Sequence, residues 1–283
     1  MKFGISSAFK IGKIIPLFRN LKLITGDVKF ALTSEGLKIQ ETDDAQVSLI
    51  VVFISKKWFS IYEDIKEGED VVFGVNTEIL NLIFTKSFKK EHNAISFECS
   101  NKSDKLDITL VETNGNRKIF AIPCMDIDRD TMIVPTVDYS VDIKCKIKYL
   151  SSTINEMLNY GGETKIVCNE EKISLSVDGD LGNMVNDILN NDKNEIIVEY
   201  AIGEGTTVDL TYSLKYMKMI TDFSGFSDVV NLHFSKDYPM QLLYNLDYDV
   251  ETKDGKVTYK PTTKDTNDVI NYVKFYLAPK FED

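Results

Sequence analysis

The closing stretch NYVKFYLAPKFED, residues 271–283, decides how this chain folds. Val273, Phe275 and Leu277 alternate with tyrosine and lysine, which is the period-two pattern of a strand that buries one face. Pro279 has no N–H to donate to a neighbouring strand, so it predicts the end of the pairing. We therefore expect a final strand that is tied into a sheet, followed by a short ordered tail.

Strand-like segments recur along the chain. Eight other short stretches are β-branched or alternating: 47–54, 94–100, 105–112, 172–177, 195–202, 206–213, 229–235 and 240–250. The turn signals Asn114-Gly115, Asp178-Gly179 and Asp254-Gly255 lie among them. This pattern predicts a chain that is largely antiparallel sheet.

Four segments instead carry helical spacing, and all four are basic. They are 8–22, 77–90, 144–160 and 213–223, with net charges of +4, +2, +2 and +1. The basic start of the third segment is also compatible with a strand. The whole chain carries −11, so the remainder is strongly acidic. Such clusters of Lys and Arg are either a surface for phosphate or simply solvated helix faces.

The 283 residues fit two domains, since domains cluster near 100–150 residues. Each half contains many strands and two basic helices, and the stretch 123–140 between them has two prolines and little periodicity. We predict an α+β protein with similar domains at 1–122 and 141–283, a connecting loop at 123–140 and a polar insertion at about 249–268.

The composition argues against several other classes. The four cysteines, Cys99, Cys124, Cys145 and Cys168, show no metal or disulfide spacing, and no apolar run is long enough for a membrane helix. His233 alternates within a strand, and His92 is expected in a polar loop. No phosphate loop, serine elbow or zinc-protease motif occurs, so we expect no catalytic residues, no metal and no cofactor.

Several motifs together carry a family resemblance. They are SEGLKIQETDDAQVSLI (34–50), FGVNTEIL (73–80), MDIDRDTMIVP (125–135), DGDLGN (178–183), SLKYMKMIT (213–221) and FYLAPKFED (275–283). Their order and spacing resemble the proliferating cell nuclear antigen family of sliding DNA clamps over nearly the whole chain. The resemblance implies a ring with helices inside and sheets outside, which encircles duplex DNA and tethers polymerases as a processivity factor.

Such a ring of six similar domains implies a homotrimer of this chain with head-to-tail contacts. Sequence-independent contacts to phosphate are then expected from the basic segments. These residues are Lys10, Lys13, Arg19, Lys22, Lys86, Lys89, Lys144, Lys146, Lys148, Lys215 and Lys218. Closure is expected to pair the edge strand 117–124 with 183–189 of the next subunit, through Phe120, Met157, Tyr160, Val185 and Ile188.

The resemblance also implies a site for partner peptides that carry a glutamine and two aromatics, as in polymerases, nucleases and ligases. A clamp loader is a further expected partner. The site residues are Val47, Leu49, Met132, Val134, Pro239, Tyr276, Ala278 and Pro279. Pro279 is expected to leave the neighbouring backbone groups free for an incoming strand.

The sequence departs from the family in places and leaves alternatives open. Pro16 is expected to kink the first helix, and the second helix gathers its lysines at its end. A monomeric or heteromeric clamp-like processivity or checkpoint subunit, or a carboxylate-based hydrolase, are the rival interpretations. We expect a nuclear protein, or a cytoplasmic replication site if the source is viral.

Overall fold

The computed structural model describes residues 1–99, 104–253, 256–261 and 270–280. The chain divides into two compact units. Unit 1 comprises Met1–Asp44, Ile50–Met132 and Leu246–Val273, and unit 2 comprises Ala45–Leu49, Ile133–Asn245 and Lys274–Asp283.

Four α-helices occur in the described chain, two in each unit. They are α1 (Ala8–Asn20), α2 (Thr77–Leu82), α3 (Ile147–Met157) and α4 (Leu214–Thr221). A 3₁₀ turn, Leu21–Leu23, extends α1, and a π-helical turn, Ile83–Ser87, extends α2. All four segments predicted to be helical therefore contain a helix, although each helix is shorter than its basic segment.

The first nine strands precede the connecting segment. They are β1 (Lys2–Ile5), β2 (Asp27–Leu32), β3 (Gly36–Thr42), β4 (Ser48–Ser55), β5 (Ile61–Tyr62), β6 (Val71–Asn76), β7 (His92–Cys99), β8 (Lys105–Glu112) and β9 (Arg117–Pro123). Eight follow it up to the insertion: β10 (Val141–Lys146), β11 (Glu163–Cys168), β12 (Lys172–Gly179), β13 (Gly182–Leu189), β14 (Ile197–Ile202), β15 (Val208–Ser213), β16 (Val229–Phe234) and β17 (Met240–Asn245). The insertion forms β18 (Tyr248–Lys253) and β19 (Lys256–Pro261), and β20 (Tyr272–Leu277) is the last strand described.

In unit 1 the strands lie in the order β5-β1-β7-β8-β9 in one sheet and β4-β3-β2-β6 in another. The ring of Phe18 on α1 lies 6.2 Å from Phe30 of β2 and 5.2 Å from Phe97 of β7. Phe84, at the end of the second helical segment, stacks on Phe18 at 5.0 Å. One aromatic side chain of α1 thus joins both sheets and the neighbouring helix in a single core.

The first helix follows from its sequence. Ser7 precedes it in an extended conformation and accepts a bond from the Lys10 amide, which satisfies one of the unpaired N–H groups of the first turn. Ile11, Ile14 and Phe18 recur at helical spacing and are buried. The helix runs through Pro16 to Asn20. The carbonyl that loses its partner there belongs to Gly12, which is exposed and so accessible to water.

In unit 2 the strands lie in the order β13-β12-β11-β15 in one sheet and β14-β10-β16-β17-β20 in another. Phe275 of β20 packs at 4.9 Å from Phe223 and at 6.1 Å from Tyr244. The Tyr244 hydroxyl donates to the Ile220 carbonyl of α4 at 2.9 Å. The closing stretch of the sequence therefore supplies a central core residue of unit 2, as its alternation predicts.

Both units follow one plan of two helices on two sheets, which confirms the predicted α+β class. In both units neighbouring strands pair in antiparallel fashion, as in β1 with β7, β2 with β6 and β12 with β13. The proposed division at 1–122, 123–140 and 141–283 stays a prediction. In the structure, the long segment of unit 1 ends at Met132 and that of unit 2 begins at Ile133.

One predicted turn separates two described strands as expected. Asn114-Gly115 lies between β8 and β9, and Gly115 has a φ of 89°. In the insertion, Lys253 pairs with Lys256, so β18 and β19 flank Asp254-Gly255, which lies outside the described residues. The predicted hairpin at 178–183 is present, but its turn falls at 180–181 rather than at Asp178-Gly179, because Gly179 still pairs with Gly182.

We expect Phe275→Ala to lower the free energy of unfolding by about 3–5 kcal/mol, because a fully buried ring is replaced by a cavity. Phe53→Ala is the matched control, since Phe53 is only partly buried. Urea titrations at one fixed protein concentration measure both variants. A Phe275 variant that is no less stable than the Phe53 variant would contradict the placement of β20.

Candidate functional surfaces

Two of the three cations of α1 donate to backbone carbonyls. Lys10 donates from Nζ to the Trp58 carbonyl at 2.6 Å and lies 5.1 Å from the centre of the Trp58 ring. Burial lowers the pKa of Lys10, and the Asp247 carboxylate partly offsets this. Arg19 donates from Nε to the Phe84 carbonyl at 2.8 Å, and burial lowers its pKa as well. These two cations also stabilise unit 1.

Of the four remaining predicted cations of unit 1, Lys22, Lys86 and Lys89 are exposed and Lys13 is half-buried. Lys13 lies 5.4 Å from the centre of the Phe9 ring, and Lys22 pairs with Glu78 at 3.3 Å. Lys86 belongs to the π-helical turn, whereas Lys89 follows the helix, so the predicted helix 77–90 ends before its last two lysines.

A buried histidine holds the turn that carries Lys89. The Lys89 amide donates to Nδ1 of His92 at 3.0 Å, and the His92 amide donates to the Lys89 carbonyl at 3.1 Å. The His92 ring stacks on Phe88 at 5.4 Å and is 3% exposed. The prediction of His92 in a polar loop was therefore wrong, because it begins β7 and is packed. His233 is also packed, as predicted, and its Nδ1 bonds to the Asp142 carboxylate.

Most of the predicted cations of unit 2 are paired with acids. Lys144 and Lys146 lie on β10, not on a helix, and their side chains alternate with the buried Val141, Ile143 and Cys145. They pair with Glu199 at 3.2 Å and Glu195 at 3.8 Å. Because alternate residues of a strand point to opposite faces, these two lysines lie on the face away from the core and its helices.

The helices of unit 2 are closer to neutral. Lys148 of α3 pairs with Asp228 at 3.7 Å, and Lys218 of α4 pairs with Asp222 at 2.6 Å. Lys215 is exposed and lies 5.6 Å from the Tyr216 ring centre. Of the predicted cations, those of unit 1 thus contact carbonyls and rings more than acids, while four of the five in unit 2 have a carboxylate partner.

Seven of the eight residues predicted to bind a partner peptide fall in unit 2, and Met132 falls in unit 1. Val47, Leu49, Val134, Tyr276, Ala278 and Pro279 are each half-buried, and Pro239 is exposed. The Tyr276 hydroxyl donates to Gln241 at 2.9 Å, which fixes its ring. Unit 2 therefore presents half-exposed apolar groups on an ordered backbone.

The tail after β20 stays bound to unit 2. The Ala278 amide donates to the Val47 carbonyl at 3.0 Å, and the Lys280 amide donates to the Thr211 carbonyl of β15 at 2.7 Å. The prediction of a tied-down strand with an ordered tail is confirmed as far as Lys280. The prediction that the amides beside Pro279 are free was wrong, since both have partners within the chain.

The predicted subunit contacts divide into surface and core residues. β9 and β13 are edge strands of their sheets, and Ile119 and Val185 are both 63% exposed. Tyr160 is 38% exposed and Phe120 is half-buried. Met157 is 0% exposed and Ile188 is 5% exposed. These last two were wrongly predicted as contacts, because side chains within the core cannot touch a neighbouring subunit.

The described residues offer no group of three or more His, Cys, Asp or Glu side chains that could hold a metal ion. No helix among them is long and apolar enough to cross a membrane.

Two family models cover most of the chain. The N-terminal domain model of proliferating cell nuclear antigen matches residues 2–132, and the C-terminal domain model matches residues 133–254. The chain belongs to the proliferating cell nuclear antigen family. It is a DNA sliding clamp of the kind that acts as a processivity factor, and the family serves as a scaffold rather than an enzyme.

Individual relatives agree over nearly the full length. Proliferating cell nuclear antigen of Chaetomium thermophilum is 22% identical over 267 residues, which are 93% of this chain and 92% of the relative. Proliferating cell nuclear antigen 1 of Plasmodium falciparum is 24% identical over 274 residues, 94% of this chain and 93% of the relative. A crystal structure of a PCNA2–PCNA3 complex from Sulfolobus tokodaii has a TM-score of 0.78 at 20% identity and covers 99% of both chains.

Two features of these surfaces were not predicted from the sequence. Lys90 is exposed beside Lys89 and was omitted from the predicted cations, although its position in the basic run was visible. Glu41 is buried and pairs with Arg129 of the connecting segment. No local pattern signals this pair, because the two residues are far apart in sequence and Glu41 lies in an alternating strand.

Proposed function

We propose that three copies of this chain close into a ring around duplex DNA. β9 of one copy pairs with β13 of the next, so each copy contributes two different edges and the contacts are head-to-tail. The exposed Ile119 and Val185 on these edges support the pairing, because an exposed apolar edge strand is otherwise prone to uncontrolled association. Phe120 and Tyr160 complete the contact.

A mixed ring is the second candidate arrangement. The structural neighbour from Sulfolobus tokodaii was solved as a complex of two different subunits, PCNA2 and PCNA3. A chain that needs a different partner would stay monomeric or dimeric when purified alone. The same measurement of mass therefore separates the homotrimer from both the mixed ring and the monomeric form.

The helices line the hole of the proposed ring and contact phosphate without reading bases. Contacts confined to phosphate attract DNA of any sequence. The interaction energy is then nearly constant as the protein moves along the duplex axis. The unit 1 cations support this role best, since α1 and its 3₁₀ turn carry Lys10, Lys13, Arg19 and Lys22 without an acid. Lys144 and Lys146 are expected to contribute least, because they lie on β10 beside acids.

The apolar surface of unit 2 takes peptides from polymerases, nucleases, ligases and a clamp loader. Met132 is proposed as a further contact for these peptides. The ordered Tyr276–Lys280 segment supports it, since a fixed backbone costs less to dock against. The protein would act in the nucleus, or at a cytoplasmic replication site if the source is viral.

The assembly is tested by changing one edge residue. We expect Val185→Asp to reduce the mass in solution from three times 32.2 kDa to that of a single chain, because a charge is buried in each contact. Val198→Asp is the control, since Val198 is also exposed, at 49%, on a strand of unit 2. Light scattering at micromolar concentration measures both. A parent that is monomeric at that concentration excludes the homotrimer.

The DNA contact is tested by salt dependence. We expect a variant with Lys13, Lys86 and Lys89 changed to Gln to bind duplex DNA less tightly and with a shallower slope of log K against log salt. Removing one cation from a phosphate reduces the steepness of that slope by about 0.9. Lys10 and Arg19 are left intact because they also support the fold.

The matched control changes Lys146, Lys148 and Lys218 to Gln, since these cations have acid partners. Its slope is expected to stay near that of the parent. Equally weakened binding in the two triple variants would contradict a DNA surface dominated by unit 1.

The peptide site is tested with a short peptide that carries a glutamine and two aromatics. One buried aromatic ring of about 150–250 Å² contributes roughly 4–6 kcal/mol before ordering costs, so micromolar affinity is expected. We expect Val134→Asp with Pro279→Asp to weaken binding at least about tenfold, or about 1.4 kcal/mol. Calorimetry on the parent, this variant and Val198→Asp measures it. Unchanged affinity in the double variant would place the site elsewhere.

A further inference from the structure

The first half of the connecting segment is fastened to unit 1. The Gly74 amide of β6 donates to the Met125 carbonyl at 2.7 Å, and the Met125 amide donates to the Gly74 carbonyl at 3.0 Å. The Ile127 side chain lies directly over Gly74, where an added Cβ would come within 2.4 Å of it. Glycine at position 74 therefore allows the segment to approach the strand closely.

A buried carboxylate provides the second attachment. The Glu41 side chain on β3 is 2% exposed and accepts from Nη1 of Arg129 at 2.6 Å. It also accepts from the Lys29 amide at 2.6 Å. The same Arg129 nitrogen lies 3.3 Å from the Asp27 carbonyl, and Lys29 Nζ donates to the Arg129 carbonyl. A buried carboxylate is costly without a partner, so this pair resists opening.

The third attachment lies at the last residue of the segment in unit 1. Gln40 donates from Nε2 to the Met132 carbonyl at 2.9 Å, and the Met132 amide donates to Oε1 of Gln40 at 2.6 Å. One side chain thus bonds both backbone groups of Met132, much as a neighbouring strand would. The Met132 side chain remains 56% exposed.

We propose that Arg129, Glu41 and Gln40 form a latch that positions Met132 for the partner peptide. This inference rests on the proposed peptide site. Ordering a loop at the moment of binding weakens affinity, so a segment already ordered in the free protein binds more tightly. The three residues are positioning residues, since none of them belongs to the predicted peptide surface itself.

The latch is tested first without any peptide. Amide hydrogen exchange is followed at Met132 and Met125 in the parent and in Arg129→Met, Glu41→Gln and Arg129→Lys. We expect exchange at Met132 to accelerate at least about tenfold in Arg129→Met, while the Met125 amide keeps its partner on β6. Glu41→Gln retains the bond from the Lys29 amide and loses only the charge, so it separates the latch from general unfolding.

The second step measures affinity for the glutamine and aromatic peptide. Arg129→Met and Glu41→Gln are expected to weaken binding about five- to tenfold. The affinity of Arg129→Lys is expected to lie between those of the parent and Arg129→Met, because lysine keeps a positive charge. Lys38→Met is the control, since Lys38 lies on the same strand as Glu41 but is exposed and pairs with Glu35.

The two steps distinguish the possible failures. A parent that does not bind the peptide overturns the proposed site, and with it the positioning role, whatever the exchange rates are. A parent that binds, with Met132 exchange unchanged in Arg129→Met and Glu41→Gln, overturns the latch. Arg129→Met and Glu41→Gln could also exchange faster at Met132 and still bind the peptide as tightly as Lys38→Met does. The attachment would then be structural only, and this result also overturns the proposal.

Discussion

Each helix of this clamp buries one face in a core, and this packing determines what its other face can do. In unit 1, Phe18 anchors α1 between β2 and β7. In unit 2, Tyr244 and Phe275 pack together, and the Tyr244 hydroxyl bonds to the end of α4. With one face committed to the core, the outer face of α1 is left to carry cations. The DNA surface that we propose therefore depends on how the aromatic side chains are packed.

The predicted DNA-binding cations have different partners in the two units. Cations of α1 rest on carbonyls and aromatic rings, whereas Lys148 and Lys218 in unit 2 face carboxylates. Exposed ion pairs contribute little to stability, but they cancel much of the field that a phosphate would meet. In our account the duplex is attracted mainly by unit 1. We propose that the half-exposed apolar groups beside the last strand of unit 2 serve peptides instead.

The spacing of apolar residues predicted much of the fold, because a strand or helix that buries one face carries apolar residues at regular intervals. The predicted strand 105–112 coincides with β8, and the alternation in 271–278 placed Phe275 in the core. Features that depend on distant partners were not predictable. Met157 and Ile188 were expected on the surface because nothing local shows how deep a residue lies. Lys144 and Lys146 were grouped with a helix because the change from strand to helix leaves no break in the basic run. The attachment of Arg129 to Glu41 joins residues far apart along the chain.

Our central claim is that the protein encircles DNA without holding it at one position. The most direct test is whether the protein can leave a duplex whose ends are blocked. The protein is allowed to thread onto linear duplex DNA, both ends are then blocked by bulky groups, and the complex is washed in high salt. Our account predicts that the protein stays on blocked DNA and leaves within the same wash once an internal cut opens an end. Equal release from blocked and cut DNA would mean that it binds only by surface charge and would contradict the account.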